Sequence, residues 1–255
     1  LKPAAPAEIP HNRKIMLSEN ELQRYHRQIL LPDWDRPGQE KLKRARVAVV
    51  GAGGLGSAVL TYLTLAGVGY LRIIDPDRVE PTNLNRQMLH AETDLGRQKV
   101  DSAKDKLAAL NPRIQIETFA EAINEKNVLE LIADCLIVDA LDNLPARLVL
   151  NRAALRLNRP LFHGAVYGWE GRATTIYPGR TPCLACLYEA GLPGEIPVVG
   201  IAPGIIGCIQ AAEVIKHILG TGELLTNRML IFDGRTMTFR EITLKPNPLC
   251  KECGI

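Results

Sequence analysis

Val47-Ala48-Val49-Val50-Gly51-Ala52-Gly53-Gly54-Leu55-Gly56 determines how this chain is read. Its first four residues are apolar without a break, as in a strand buried on both faces of a parallel sheet. Gly51, Gly53 and Gly56 then fit G-x-G-x-x-G, and residues 57–66 carry apolar side chains at helical spacing until Gly67-Val68-Gly69 stops them. Leu71-Arg72-Ile73-Ile74-Asp75 reads as the next strand, which completes one βαβ unit. Between a strand and a helix, glycines let the backbone approach a phosphate. The helix N-terminus offers free N–H groups and the positive end of its dipole. Asp75 closes the second strand, where an acid suits a ribose hydroxyl. On the loop and Asp75 alone NAD is favoured, and a glycine turn without any ligand is the plainer alternative.

Beyond this unit, strands and helices keep alternating. Residues 98–110 read as a helix stopped by Asn111-Pro112, and 114–117 as a strand. Residues 127–132 read as a helix, 136–139 as a buried strand ending in Asp139, 145–157 as a helix and 161–165 as a strand. This order predicts an α/β fold with a Rossmann-like, doubly wound, mostly parallel sheet. After Trp169 the pattern changes. Residues 172–177 and 228–244 read as strands, the latter with a turn at Asp233-Gly234, and a helix over 204–219 lies between them. These predict C-terminal antiparallel strands added to the same sheet. Upstream, 17–31 reads as a helix with Ser18 as N-cap, and 40–45 as a second short helix. Residues 1–10 are rich in Pro and Ala and read as part of a flexible leader over 1–16. With no repeat or linker, residues 17–255 are expected to form a single domain.

Composition narrows the function. The chain has 255 residues, 46% apolar and 23% charged, with a net charge of +3. That charge is too small to indicate nucleic-acid binding without a basic cluster. Lys41, Lys43, Arg44 and Arg46 read as a solvated helix end. No apolar run approaches the roughly 20 residues of a membrane span, and no signal peptide is evident, so a cytoplasmic protein is expected.

The residues beyond Asp75 shift the balance from NAD to ATP. Arg86 sits in the long polar segment after the second strand. Lys99 comes after Gly96 at the start of a helix, and Asp142-Asn143 come after the strand that ends at Asp139. An Arg, a Lys and an Asp near one crevice exceed what a single pyrophosphate needs. They suit a triphosphate with magnesium, in which cations neutralise phosphate oxygens and a carboxylate holds the metal.

Six cysteines are present, four of them as Cys183-x-x-Cys186 and Cys250-x-x-Cys253. Two such pairs fit a tetrahedral four-thiolate zinc site, closed and therefore structural. A redox pair or disulfide is the alternative. Cys135 and Cys208 are expected to be small buried residues, with Cys208 the fallback nucleophile. His163, at a strand end near the cleft, is expected to be a satisfied structural histidine.

Taken in order, Arg24-Tyr25-His26-Arg27-Gln28, the Gly51–Gly56 loop, Asp75-x-Asp77-x-Val79, Asn83-Leu84-Asn85-Arg86-Gln87, Gly96 with Lys99, Asp142-Asn143 and the two cysteine pairs resemble the ThiF/MoeB/HesA family. These are relatives of the ubiquitin-activating enzymes, and the resemblance spans about 17–254. It implies adenylylation by ATP of the C-terminal carboxylate of a ubiquitin-like sulfur-carrier protein ending in Gly-Gly, with Mg2+ at the phosphates and a structural Zn2+. Gly51, Gly53, Gly54 and Asp75 would hold the nucleotide, with Asp77, Asn83 and Asn143 in the same set. Arg86 and Lys99 would hold the phosphates, and Asp142 would position magnesium. The resemblance also implies a homodimer in which Arg27 reaches the partner's nucleotide. Many members carry a further cysteine in the loop after the first pair. Here that loop reads Gly191-Leu192-Pro193-Gly194-Glu195-Ile196-Pro197, so no covalent step there is expected. Adenylylation of another acid, an NAD-dependent oxidoreductase and a non-catalytic scaffold are the competing readings.

Overall fold

A computed structural model of the chain describes residues 16–188 and 196–254. The leader up to residue 15 and positions 191–195 of the Pro/Gly loop lie outside the described residues. In chain order the elements are α1 (Glu19–Arg24), α2 (His26–Ile29), α3 (Asp35–Arg44), β1 (Arg46–Val50), α4 (Gly54–Ala66) and β2 (Tyr70–Ile74). Next come α5 (Lys99–Leu110), β3 (Gln115–Phe119), α6 (Val128–Leu131), β4 (Leu136–Asp139), α7 (Leu144–Leu157), β5 (Leu161–Tyr167) and β6 (Glu170–Ile176). The last are α8 (Leu184–Leu187), α9 (Ile201–Leu219), β7 (Arg228–Asp233) and β8 (Thr238–Thr243).

The strands form one eight-stranded sheet in the order β3-β2-β1-β4-β5-β6-β7-β8. Strands β1 to β5 pair in parallel, and β5 to β8 pair antiparallel, as the sequence pattern predicts. The chain runs outward from β1 to β3 and then crosses to β4 on the other side of β1. The gap between the ends of β1 and β4 is therefore a topological switch point, where such sheets bind ligands.

Alternation within β1 divides the core into two layers. Val47 and Val49 join Leu42 of α3, Leu60 and Leu63 of α4, Leu107 of α5 and Ile206 of α9. Ala48 and Val50 face Leu131 of α6, Leu150 of α7 and Leu184 of α8. Leu60, Leu63, Leu107 and Leu150 are fully buried, and each contributes about 2 kcal/mol in apolar area removed from water. By length and composition α9, with 19 residues, could cross a membrane. It instead packs on α4, β5 and β6, which makes it a core helix.

Several local expectations are corrected. The helix expected over 17–31 starts as foreseen, with Ser18 and Glu21 forming a reciprocal capping box. It breaks at Tyr25, however, whose buried ring is drawn inward and whose hydroxyl accepts a hydrogen bond of 2.8 Å from Asn111 Nδ2. The cations at 41–46 do not form a free solvated end. Lys41 Nζ caps the C-terminus of α9 through Leu219 O at 2.7 Å, and Lys43 pairs with Glu21 at 2.8 Å. The Arg46 guanidinium stacks 3.6 Å from the centre of the Tyr70 ring. Cys135 is buried, but Cys208 is exposed on α9, because the face of that helix carrying it is left uncovered by the described residues.

Candidate active site and cysteine cluster

The glycine loop lies at the switch point, and its glycines are sterically required. A Cβ on Gly56 would meet Gly51 O at 1.9 Å, and one on Gly51 would meet Ala140 O at 2.4 Å. Gly51 also has φ +105°, a region that disfavours any side chain. The first two glycines of the triad leave the loop backbone bare before α4 begins at Gly54, so the helix N-terminus opens into the crevice. Beside it lies a hollow of about 220 Å³, walled by Gly54, by Leu84, Arg86 and Met88 of the segment after β2, and by Gly200 and Gly204 at the start of α9; Asp75, Lys99 and Asp142 stand outside its walls.

Asp75 is 5% exposed and faces the loop. Its carboxylate accepts from Ala52 N–H at 2.7 Å and from Asp77 N–H at 2.8 Å, which ties the two strand ends together. Burial raises its carboxyl above the usual range, opposed by the nearby Lys99 ammonium and these two N–H donors. Lys99 is the first residue of α5 and buried, and its Nζ donates to Asp77 Oδ2 at 2.8 Å. The placement is fixed by backbone: Lys99 N–H donates to Asp77 O and Val79 N–H to Arg97 O, each at 2.9 Å.

Asp94 anchors the turn between them. Burial opposes its ionisation, yet hydrogen bonds from Lys106 and Ala91 N–H outweigh burial and hold its carboxyl at about 2. A depressed folded-state pKa stabilises the fold above the unfolded value near 4, and that contribution is lost as pH falls towards 2. Asp94→Asn is therefore expected to lower the melting temperature at pH 6 and to reduce the loss of stability between pH 4 and pH 2, as followed by circular dichroism.

Arg86 borders this hollow, with Nη1 donating to Thr82 O at 2.7 Å and to Asn85 Oδ1 at 2.9 Å. Its guanidinium is thus folded onto its own loop and has donors left for an anion. Asn83 is turned to the loop: it is buried, and its Oδ1 accepts from Glu80 N–H at 3.1 Å. Asn143 caps α7 by accepting from Ala146 N–H at 3.0 Å, and its amide donates to the exposed Asp142 at 3.3 Å. Arg27 is exposed on α2. Its neighbour Gln28 binds Ala66 O at the C-terminal end of α4, at 2.8 Å. A 13-residue helix is roughly 20 Å long, so Arg27 lies far from the glycine loop of its own chain.

The structure adds residues that the sequence reading left without roles. Gln87 is buried, its amide is the nearest group a Cβ on Gly53 would meet, and its Oε1 has no hydrogen-bond partner among the described residues. An unpartnered buried acceptor beside the loop fits an incoming hydroxyl donor such as a ribose. His90 Nε2 lies 3.1 Å from Ala52 O and secures the loop from behind. Arg147 donates to Leu141 O, and to Gly164 O at 3.0 Å. Gln87 sits in a motif that sequence can flag. Arg147, one arginine in a helix, carries no such signal.

The four paired cysteines converge. Their sulfurs all lie within 4.8 Å of one another, with Cys183–Cys250 at 3.8 Å and Cys186–Cys253 at 3.4 Å. Tetrahedral zinc–thiolate bonds of about 2.3 Å place sulfurs about 3.8 Å apart, so the set fits zinc. The cross-pairing also disfavours a disulfide within either Cys-x-x-Cys. Burial pushes the Cys183 thiol up to about 12, so holding it as a thiolate takes a cation.

A bare glycine loop at a switch point, with cations and carboxylates at the neighbouring strand ends, makes this a nucleotide-binding α/β domain, and a four-cysteine knuckle stands beside its parallel sheet. Residues 25–252 match the ThiF family, and the chain belongs to it. It is 41% identical over 250 residues to a sulfur carrier protein adenylyltransferase of Thermus thermophilus, covering 93% of this chain and 92% of that protein. It is 42% identical over 248 residues to a SAMP-activating enzyme E1 of Haloferax volcanii, covering 94% and 92%. Among solved structures, Escherichia coli MccB with ATP superposes with a TM-score of 0.81 at 25% identity, covering 94% of this chain and 77% of that one.

Proposed function

We propose that this chain is an adenylyltransferase that activates the C-terminal carboxylate of a ubiquitin-like sulfur-carrier protein with ATP. The observation carrying the reading is the meeting, at one switch point, of the bare glycine loop with Asp75, Lys99, Arg86 and the unpartnered Gln87 Oε1. Relatives alike over nine-tenths of their length, named for sulfur-carrier adenylylation and SAMP activation, support the substrate class. They favour ATP over the NAD alternative.

In this reading Gly51, Gly53 and Gly54 lie against the nucleotide, while Asp75 and Gln87 take the ribose. Arg86 and Lys99 neutralise the phosphates, with Lys99 released from Asp77 as the anion enters. Asp142, seconded by Asn143, would hold Mg2+, and the ion would screen charge on the triphosphate. Asn83 shapes the loop. The carrier carboxylate is ionised at neutral pH, so no protein base is needed. Its oxygen forms a bond to the α-phosphorus as the bond from that phosphorus to the bridging oxygen breaks, giving an acyl-adenylate and pyrophosphate. The protein's contribution is positioning and charge neutralisation. Zn2+ on Cys183, Cys186, Cys250 and Cys253 would be structural. The acting form is a cytoplasmic homodimer of one domain from residue 17 onward. The exposed Tyr62 and Leu65 of α4 and Cys208 of α9 support a second copy, with Arg27 serving the partner's site.

The test is ATP–pyrophosphate exchange with magnesium, with and without a carrier ending in Gly-Gly. Exchange that requires the carrier is the expected result. ATP binding without carrier-dependent exchange would redirect the search to another carboxylic acid, and no ATP binding would overturn the reading.

A further inference from the structure

A chain of hydrogen bonds, buried at Asp139 and His163 and part-buried at Tyr188, runs from the end of β4, and the phosphoryl chemistry makes no use of it. Asp139, at the end of β4, and His163, in β5, are register partners and both 0% exposed. His163 Nδ1 lies 2.7 Å from Asp139 Oδ2, and His163 Nε2 lies 3.0 Å from the Tyr188 hydroxyl. Burial lowers the imidazole, and a neutral ring has one N–H. With Nδ1 donating to the carboxylate, Nε2 is the acceptor for Tyr188.

The two ends of this chain meet functional elements. At one end, Asp139 Oδ1 accepts from Leu141 N–H at 3.1 Å, while Arg147, 3.6 Å from Asp139 Oδ2, donates to Leu141 O. The Leu141 residue is thus held on both of its backbone polar groups, and the next residue is Asp142. At the other end, Tyr188 caps α8, the single turn that follows Cys183 and contains Cys186, through its N–H to Leu184 O at 3.0 Å. Cys186 N–H in the same turn donates to Cys183 O at 3.0 Å. Tyr188 thus joins the knuckle's turn to His163 in two ways, through its hydroxyl and through an edge-on ring contact with centroids 5.6 Å apart.

We propose that Tyr188, His163 and Asp139, with Arg147, form a positioning chain that couples the order of the four-cysteine knuckle to the 141–142 turn and so to the metal-holding Asp142. The inference rests on the role assigned to Asp142 in nucleotide activation. His163 and Tyr188 are positioning residues that touch neither substrate nor metal. A fully buried histidine between two polar partners would otherwise cost stability that an apolar pair at β4–β5 would not.

Tyr188→Phe removes one oxygen and leaves all four cysteines. Three readouts are compared with the wild-type chain: magnesium dependence of ATP-analogue binding by calorimetry, amide exchange of residues 140–147 by mass spectrometry, and bound zinc. The expected result is an about fivefold rise in the magnesium concentration for half-maximal binding, the loss of one part-buried hydrogen bond. Exchange over 140–147 rises too, with zinc content unchanged. In the wild-type chain, zinc removal reproduces both changes, and in Tyr188→Phe it adds little to them. His163→Asn should behave as Tyr188→Phe does. Wild-type magnesium dependence and exchange in a zinc-loaded Tyr188→Phe would overturn the proposal. A normal magnesium dependence in Asp142→Asn would overturn the assignment of Asp142 itself. Unchanged exchange over 140–147 would overturn the coupling alone.

Discussion

Arg86→Ala lowers carrier-dependent ATP–pyrophosphate exchange by about 10²–10³-fold, the cost of removing one preorganised charge from a transferring centre. The melting temperature stays within a few degrees of wild type. Among the described residues the Arg86 guanidinium bonds only Thr82 O and Asn85 Oδ1 of its own partly exposed loop, and such bonds contribute about 1 kcal/mol or less. Arg86→Lys keeps the charge but loses the planar fork, so it should fall between the two. Rate constants measured at saturating ATP and magnesium separate lost binding from lost transition-state stabilisation. A variant with wild-type exchange would remove Arg86 from the machinery, and one that unfolds would assign it to the fold.

The second large effect concerns stability. Replacing Cys250 and Cys253 together by Ser should reduce bound zinc from one per chain to none. The melting temperature should fall by roughly 10 °C, because structural zinc contributes several kcal/mol and each kcal/mol shifts a domain of this size by about 2–4 °C. The mechanism is spatial. Cys250 and Cys253 come after β8, and their sulfurs meet those of Cys183 and Cys186 beside Leu150, Ala154 and Leu184. Without the metal, the described residues after β8 keep the Leu244 N–H bond to Asn227 O at 2.8 Å and an exposed Arg152–Glu252 pair at 3.3 Å. Below the melting range and at saturating magnesium, exchange should persist, because a four-thiolate site has no open position for chemistry. Full stability after loss of the metal would refute the structural role.

The parallel half of the fold was legible because its signals are local. The run of Val47 to Val50, the glycine loop and Asp75 each declare their place through composition, and the βαβ rule supplies the rest. The cysteine knuckle was legible from spacing alone. What escaped depends on contacts between distant segments. The break at Tyr25 is set by Asn111, and helical periodicity over 17–31 shows nothing of it. The exposure of Cys208 depends on which face of α9 is covered, and periodicity names faces without naming what lies on them. His163 was expected to be a satisfied structural histidine, and its bonds to Asp139 and Tyr188 fit that. Their meeting across 24 and 25 positions of sequence could not be read from any one segment.

The sheet's change of direction separates what this protein must preserve from what it can vary. Apart from Arg27 on α2, the residues assigned to phosphate or ribose stand in the parallel half, in the glycine loop, in the segments after β2 and β4, or at the start of α5. Strands β7 and β8 form the far antiparallel edge, and β8 is exposed throughout. Inheritance can therefore act on the two halves at different speeds. Substitutions along the exposed far edge leave the phosphate-handling loops untouched, much as an interchangeable tool head is fitted to a constant drive.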